Sequence, residues 1–472
     1  MVCFFCCTTK GTLTYDKSKK IHDRVVGMLR HSGAQPEDID RYTHTMNNQQ
    51  SFTRRIFLQT LGIGTAGLLL PVQATTSNQA MTALPEFTGP DPNPFWNSIG
   101  PFVNYQQKVP LLRLADRPVQ LETPRHYFGT AFTPNEAFFV RWHLDDIPTT
   151  VNLEKWRLTI EGNVEKSLSI SLLDIVKNYG AISVAAVCQC AGNSRSRFQP
   201  RVPGGQWGNG AMGNATWTGV KLRDLLNTAG VKTGSLQIQF EGLDRGRGKE
   251  GSGAHRYLKS LDLNDPVIDE CLIAYLMNGE PLPMLNGFPV RLVVPGKFAT
   301  YWTKALSAIR ILTEEDKTFW MDPAYKMPDT PHGHTTPQDV KDKIVKMIPI
   351  GKVNMPVRSF IITPDGSSKI PVGLPITIRG ITFSGYEGVT KVEFSEDNGK
   401  TWQEAKVGQD YGKHSFRLWE HTWQPKTPGR YILAVRATDG KGNVQTDETI
   451  WNPSGYLWNK IERQEIVVGS IG

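Results

Sequence analysis

Cysteine is scarce in this chain, with six among 472 residues. Cys3, Cys6 and Cys7 precede a leader-like segment, which leaves Cys188, Cys190 and Cys271 for the body of the protein. Three cysteines make no disulfide framework, and the N-terminal trio lacks the partner His or Cys pair of a zinc site. No CxxCH motif occurs, so the chain carries no covalently attached haem of that type. The apolar run Leu61 to Leu70 is too short for a membrane-spanning helix, which needs about 20 residues. Charge of one sign is also in small excess. The formal net charge is +8, but nine Lys+Arg against five Asp+Glu fall within residues 1–74, leaving +4. That excess is too mild to signal nucleic acid and suits a small anionic substrate. With 39% hydrophobic and 21% charged residues, the chain is ordinary globular protein, long enough for two or three domains.

The leader is informative. Thr53-Arg54-Arg55-Ile56-Phe57-Leu58-Gln59 precedes the apolar run, and Val72-Gln73-Ala74 follows it. Residues 46–74 therefore read as a twin-arginine signal peptide cleaved after Ala74. Such a signal implies export of a folded protein to the periplasm, with no membrane span in the mature form. Met46 is a natural start, which makes residues 1–45 an upstream extension without assigned function. Residues 75–109, polar and rich in Pro and Asn, read as an extended arm.

The chemistry concentrates around Ser183–Arg197. A β-branched and Ala-rich run ends in Cys188 and Cys190, and the small-residue turn Ala191-Gly192-Asn193 leads to Arg195 and Arg197. A thiol at a strand end beside cationic side chains is placed to become a thiolate, and arginine can hold a small oxyanion through forked hydrogen bonds. Taken alone, the cysteine reads more readily as a buried packing residue, since free Cys usually packs as a small hydrophobe. Upstream, period-2 alternation places Phe139, Arg141 and His143 on one face of a strand. Burying Arg and His there calls for an anion or a polar pocket. Strands are expected at 153–162 and 237–244, a short helix begins at Ser171, and an amphipathic helix within 217–229 turns Leu222, Leu225 and Leu226 inward.

Cys190-Ala191-Gly192-Asn193, Arg195, Trp207 and the run from Trp217 to Leu226 resemble the sulfite oxidase family of molybdopterin enzymes, and the similarity extends over most of the chain after Pro110. The resemblance implies a molybdenum–molybdopterin cofactor with Cys190 as the protein's thiolate ligand to the metal. It implies Arg141 and Arg195 as substrate-binding and catalytic arginines, Trp207 as a pocket wall, and Tyr325 as the catalytic phenol. For the cofactor it implies Phe139, Val140, Arg141, His143, Asp244, Asn286, Arg291, Trp302, Thr303 and Lys304. This chain departs from the family pattern at Trp142, where many relatives have Asn, and at Asn286, where vertebrate relatives have His. Thr216 stands where Arg is common, and Ser454 where a third substrate arginine would stand in WNxRG.

From about Ile344 the pattern changes to short alternating strands, such as Lys391-Val392-Glu393-Phe394-Ser395, with turns at Asp397-Asn398-Gly399 and Asp439-Gly440. The expected fold is α+β: a mixed molybdopterin-binding catalytic domain over residues 110–335, then an all-β immunoglobulin-like sandwich over 344–472. The resemblance implies that the sandwich forms a homodimer. His332-Gly333-His334 lacks a carboxylate partner and reads as solvated loop. The implied function is oxidation of sulfite, or a related sulfur oxyanion, with electrons passed to a separate acceptor such as a c-type cytochrome. A molybdenum reductase acting on sulfoxides and a non-catalytic binding protein built on the sandwich are the alternatives.

Overall fold

The computed structural model describes Tyr105, residues 107–246 and residues 255–469. The expected extension, signal peptide and N-terminal cysteine cluster, and most of the arm, lie outside the described residues. Among those described, no helix is long and apolar enough to cross a membrane.

Two five-stranded sheets form the catalytic domain. One runs Glu280–Pro281, Leu272–Met277, Met212–Lys221, Ala181–Gln189, with Arg291–Val293 pairing beside Leu272–Met277. The other runs Leu168–Ile170, Leu158–Gly162, Leu306–Leu312, Gln237–Arg245, Arg256–Asp262. Its Leu158–Gly162 and Leu306–Leu312 strands pair in parallel, and its other pairs are antiparallel. The strand expected from Leu153 is shorter than the sequence suggests and starts at Leu158. Helices are few and short. Leu172–Asn178 is started by a capping box in which Ser171 and Asp174 satisfy each other's backbone N–H. Leu222–Ala229 buries Leu222, Leu225, Leu226 and Ala229 against the core and stops at Gly230, where φ is 69°.

The C-terminal domain packs a four-stranded sheet (Arg358–Thr363, Ile376–Phe383, Arg417–Trp423, Lys406–Val407) on a five-stranded one (Lys369–Pro371, Glu462–Gly469, Gly429–Asp439, Val389–Ser395, Gln403–Glu404). Ile378, Val392, Phe394, Trp419, Trp423, Leu433, Val435 and Ile466 fill the space between them. The alternation expected over Lys391–Ser395 holds through Phe394, with Val392 and Phe394 buried and Lys391 exposed, but fails at Ser395, which is buried and bonds Asp397. The chain is thus α+β, with a mixed domain followed by an all-β sandwich.

The two domains are joined by a buried polar cluster. Arg358, 1% exposed, donates from Nη2 to Ser194 Oγ at 2.6 Å and to Asn209 Oδ1 at 2.9 Å. Asn209 Nδ2 donates to Glu462 Oε2 at 2.6 Å, and Glu462 also pairs with Arg125 at 2.9 Å and Arg197 at 3.3 Å. Burial alone would raise the Glu462 carboxyl, but Arg197, Arg125 and Arg358 outweigh it and hold the group below its usual range. The sandwich therefore grips the loop that carries Arg195.

Candidate active site

The strand Ala181–Gln189 delivers Cys188 and, one residue past its end, Cys190. Both line a cleft together with Phe138, Phe139, Arg141, His143, Asn286, Arg291, Thr300, Lys304 and Tyr325. The 139/141/143 alternation puts those three side chains on the cavity. The regular strand there is only Val140–Arg141, preceded by a 3₁₀ turn at Asn135–Ala137. Val140 and Trp142 point the other way, into a small core with Val119, Leu121 and Ala305.

The cavity is cationic. Arg141, Arg291 and Lys304 surround it, and none forms a side-chain ion pair among the described residues. Arg291 is buried against the rings of Trp217 (4.9 Å) and Trp302 (5.7 Å). It donates to the carbonyls of Asn286 (3.0 Å) and Trp302 (3.2 Å) and to Cys188 Sγ (3.7 Å), and its Nε has no partner. Burial pulls Lys304 down to about 8, with Arg291 adding to the effect. Asp244, the acid that opposes Lys304, is itself pushed up to about 6 by burial. Thr303 is 1% exposed and its hydroxyl is unsatisfied. Three cations, Arg291 buried and Arg141 and Lys304 half-buried, against the single acid Asp244, favour an anionic, hydrogen-bonding occupant. A dithiolene- and phosphate-bearing pterin would meet that need, and Cys190 could supply a soft sulfur ligand for its metal.

Arg195 follows Ser194, whose φ of 67° turns the chain sharply. Its guanidinium lies in a slot walled by three glycines. A Cβ would come within 2.4–2.7 Å of it from Gly192, within 2.9 Å from Gly204, and within 2.8 Å of Cγ from Gly455. Nε and Nη2 both donate to the Ser454 carbonyl (3.2 and 3.1 Å), and Nη1 donates to Gly205 O (3.1 Å). The residue in place of the third arginine thus contributes its main-chain oxygen from the sandwich domain. Arg195 does not line the cavity itself. It sits over the Tyr456 ring at 5.4 Å, and Tyr456 stacks on Tyr325 at 5.8 Å with 5° between the ring planes.

Tyr325 shares its hydroxyl with His143 Nε2. Burial, followed by Arg141, Lys304 and Lys259, holds His143 well below its ordinary range, so the ring is neutral and its tautomer sets which partner donates in the bond to Tyr325. His143 was expected on the pterin; it lines the cavity, but this nitrogen is committed to Tyr325.

Several expected contacts sit elsewhere. Trp207 is wholly buried outside the cavity lining, because Glu122 accepts from the amides of Gly208 (2.9 Å) and Gly210 (2.8 Å) and draws that loop inward. Trp302 is a core residue, with Nε1 on Lys297 O at 3.0 Å and its carbonyl anchoring Arg291. Asp244 lies behind the wall, against Gly242. Asn286 lines the cavity with its amide already engaged: Nδ2 donates to Phe139 O (3.1 Å), and Oδ1 accepts from Lys108 Nζ (2.6 Å). Lys108 belongs to the stretch expected to be an extended arm, and it also binds the carbonyls of Asn135 and Phe138. Sequence reasoning missed Lys108, Tyr257, Lys259, Thr300 and Tyr456. None left a clear signal: Lys259 lies in the strand Arg256–Asp262, which mixes polar and apolar residues.

Residues 143–320 match the oxidoreductase molybdopterin binding domain, and residues 351–468 match the Mo-co oxidoreductase dimerisation domain. Chicken sulfite oxidase is 33% identical over 76% of this chain and 78% of its own length. The chain belongs to the sulfite oxidase family. Sulfite oxidase of Arabidopsis thaliana is 31% identical over 74% of the chain and 92% of its own length. The crystal structure of the sulfane dehydrogenase SoxCD from Paracoccus pantotrophus superposes with a TM-score of 0.62 at 23% identity, covering 86% of this chain and all of that one, and shows the shared fold. This family member is accordingly a molybdenum oxidoreductase with a molybdopterin cofactor.

Proposed function

We propose that this enzyme oxidises sulfite to sulfate. The observation that carries the reading is the grouping of Cys190, Arg141 and the Tyr325–His143 pair on one cationic cavity, with Arg195 fixed beside it. Arg141 and the Nη end of Arg195 neutralise the substrate dianion, and charge arranged in advance is commonly the largest catalytic contribution. Cys190 would hold the metal; Arg291, Lys304 and Thr303 would hold the anionic and hydrogen-bonding parts of the pterin. When bound, the cofactor supplies the oxygen-atom transfer and accepts two electrons. The net reaction, sulfite plus water to sulfate plus two protons and two electrons, also requires proton handling. Neutral His143 shares a hydrogen bond with the Tyr325 hydroxyl at Nε2 and orients the phenol, which relays protons released in the cavity.

The electrons leave to a separate acceptor, a c-type cytochrome, consistent with the absence of a CxxCH motif in the chain. The twin-arginine pattern supports a periplasmic location, and the dimerisation-domain match supports a homodimer through the sandwich. Stopped-flow spectroscopy tests the reading: sulfite should reduce the bound metal, and added cytochrome c should reoxidise it. Metal reduced by other donors but inert to sulfite would refute it.

A further inference from the structure

Lys259 has no role in the chemistry above, yet it is 1% exposed on the strand Arg256–Asp262. Its Nζ gives one hydrogen bond, to the Trp320 carbonyl at 2.6 Å, and otherwise faces two aromatic rings, Tyr301 at 4.6 Å and Tyr325 at 4.8 Å. The carboxylate whose field reaches it, Asp316, is already held by Ser260 Oγ, Gln239 Nε2 and the Thr318 amide. Burial lowers the ammonium to about 7. An apolar side chain would stabilise this core position better than a buried cation with so few acceptors. A role in stability therefore does not account for the residue.

Its position relative to Tyr325 does. Tyr325 has φ of 59°, a left-handed conformation that is costly for an aromatic residue and persists only when its surroundings enforce it. Its ring is contacted by the Lys259 ammonium, by Tyr456 and by Trp320 (6.3 Å), and its hydroxyl meets His143. We propose that Lys259 is a positioning residue for the catalytic phenol: tied to the Trp320 carbonyl and packed on the Tyr325 ring, it fixes that hydroxyl on His143. The same charge discourages protonation of His143. That ring is faced by Arg141 from its own strand, Lys304 from the segment after Thr303, Lys259 and the stacked Tyr257 (4.2 Å) from the sheet edge, and Tyr325. Tyr325 in turn feels Arg141, Arg195 and Cys190.

The inference rests on Tyr325 and His143 acting as the proton-handling pair. Lys259→Met, Lys259→Gln and Lys259→Arg are compared as full-length, cofactor-loaded protein. The two neutral variants should retain molybdenum and lose about tenfold in kcat with sulfite KM little changed. The acidic limb of their pH profile should move to higher pH, and Lys259→Arg should restore both properties. ¹⁵N-histidine NMR of the same proteins should show the His143 titration midpoint rising in the neutral variants. An unmoved midpoint, unchanged kcat at full metal content, or an Arg variant as impaired as Met each overturns the proposal. A moved midpoint in an enzyme that does not turn over sulfite counts against the substrate assignment alone. Should Met prove unfoldable, Gln removes the charge while retaining a polar N–H donor on the same stem.

Discussion

Gly192→Ala probes the arginine slot with a single methyl group. The added Cβ would stand 2.4 Å from Arg195 Nη2 and 2.5 Å from Cζ, where ordinary contact begins near 3.4 Å. The guanidinium must therefore retreat by about 1 Å. It has little room to do so, because Gly204 and Gly455 close the slot and three hydrogen bonds tie it to Ser454 and Gly205. A misplacement of about 1 Å in a positioning group costs about 100-fold in rate, equivalent to about 2.7 kcal/mol of transition-state stabilisation. Overpacking adds about 1–3 kcal/mol of lost stability. Steady-state sulfite oxidation with an artificial one-electron acceptor, normalised to molybdenum content, should show kcat/KM reduced by about two orders of magnitude, mostly through KM. Folded, fully metallated Gly192→Ala with kcat/KM within threefold of the parent, a difference of about 0.6 kcal/mol, would show that the slot does not govern Arg195.

Other perturbations separate the remaining parts of the site. Cys190→Ser should leave the thermal transition near that of the parent apoprotein while abolishing turnover; retained activity would contradict the ligand assignment. Thr303→Val removes an unsatisfied buried hydroxyl, so the apoprotein should be no less stable, whereas cofactor retention during dialysis should fall. Glu462→Gln leaves Arg358 buried without its charge partner and should destabilise the protein by about 3–5 kcal/mol, read by denaturant unfolding. The folded Glu462 pKa lies below its unfolded value near 4.5. Its contribution is therefore fully present above that value and is lost as pH falls through the folded pKa. The parent should lose stability on acidification below about pH 4.5 more steeply than the Gln variant.

Patterns local in sequence were legible, and long-range contacts were not. Period-2 alternation read Phe139, Arg141 and His143 onto one face, because a strand obeys that rule even when only two residues of it pair regularly. The helix at Leu172 was legible because its cap is written into Ser171 and Asp174. Trp207 shows the opposite case. Nothing adjacent to it reveals that Glu122, 85 residues earlier, pulls its loop into the core. At Ser454 the lost side chain was legible, but the carbonyl that takes over for Arg195 was not, since main-chain geometry has no residue-type signature. Lys108 fell on the wrong side of a boundary drawn from composition. The polar stretch before it gave no hint that this lysine plugs into three acceptors beneath the cavity.

The Ser454 carbonyl has a consequence for building chimeras. A recombinant joining this catalytic half to the sandwich of a relative would inherit a foreign turn at 454–456, and with it a different hydrogen-bonding host for Arg195. If Arg195 binds the anion as proposed, recognition would be a shared property of both halves. Grafting experiments that treat the junction near residue 344 as a neutral seam would retune substrate affinity without altering a single residue on the amino-terminal side.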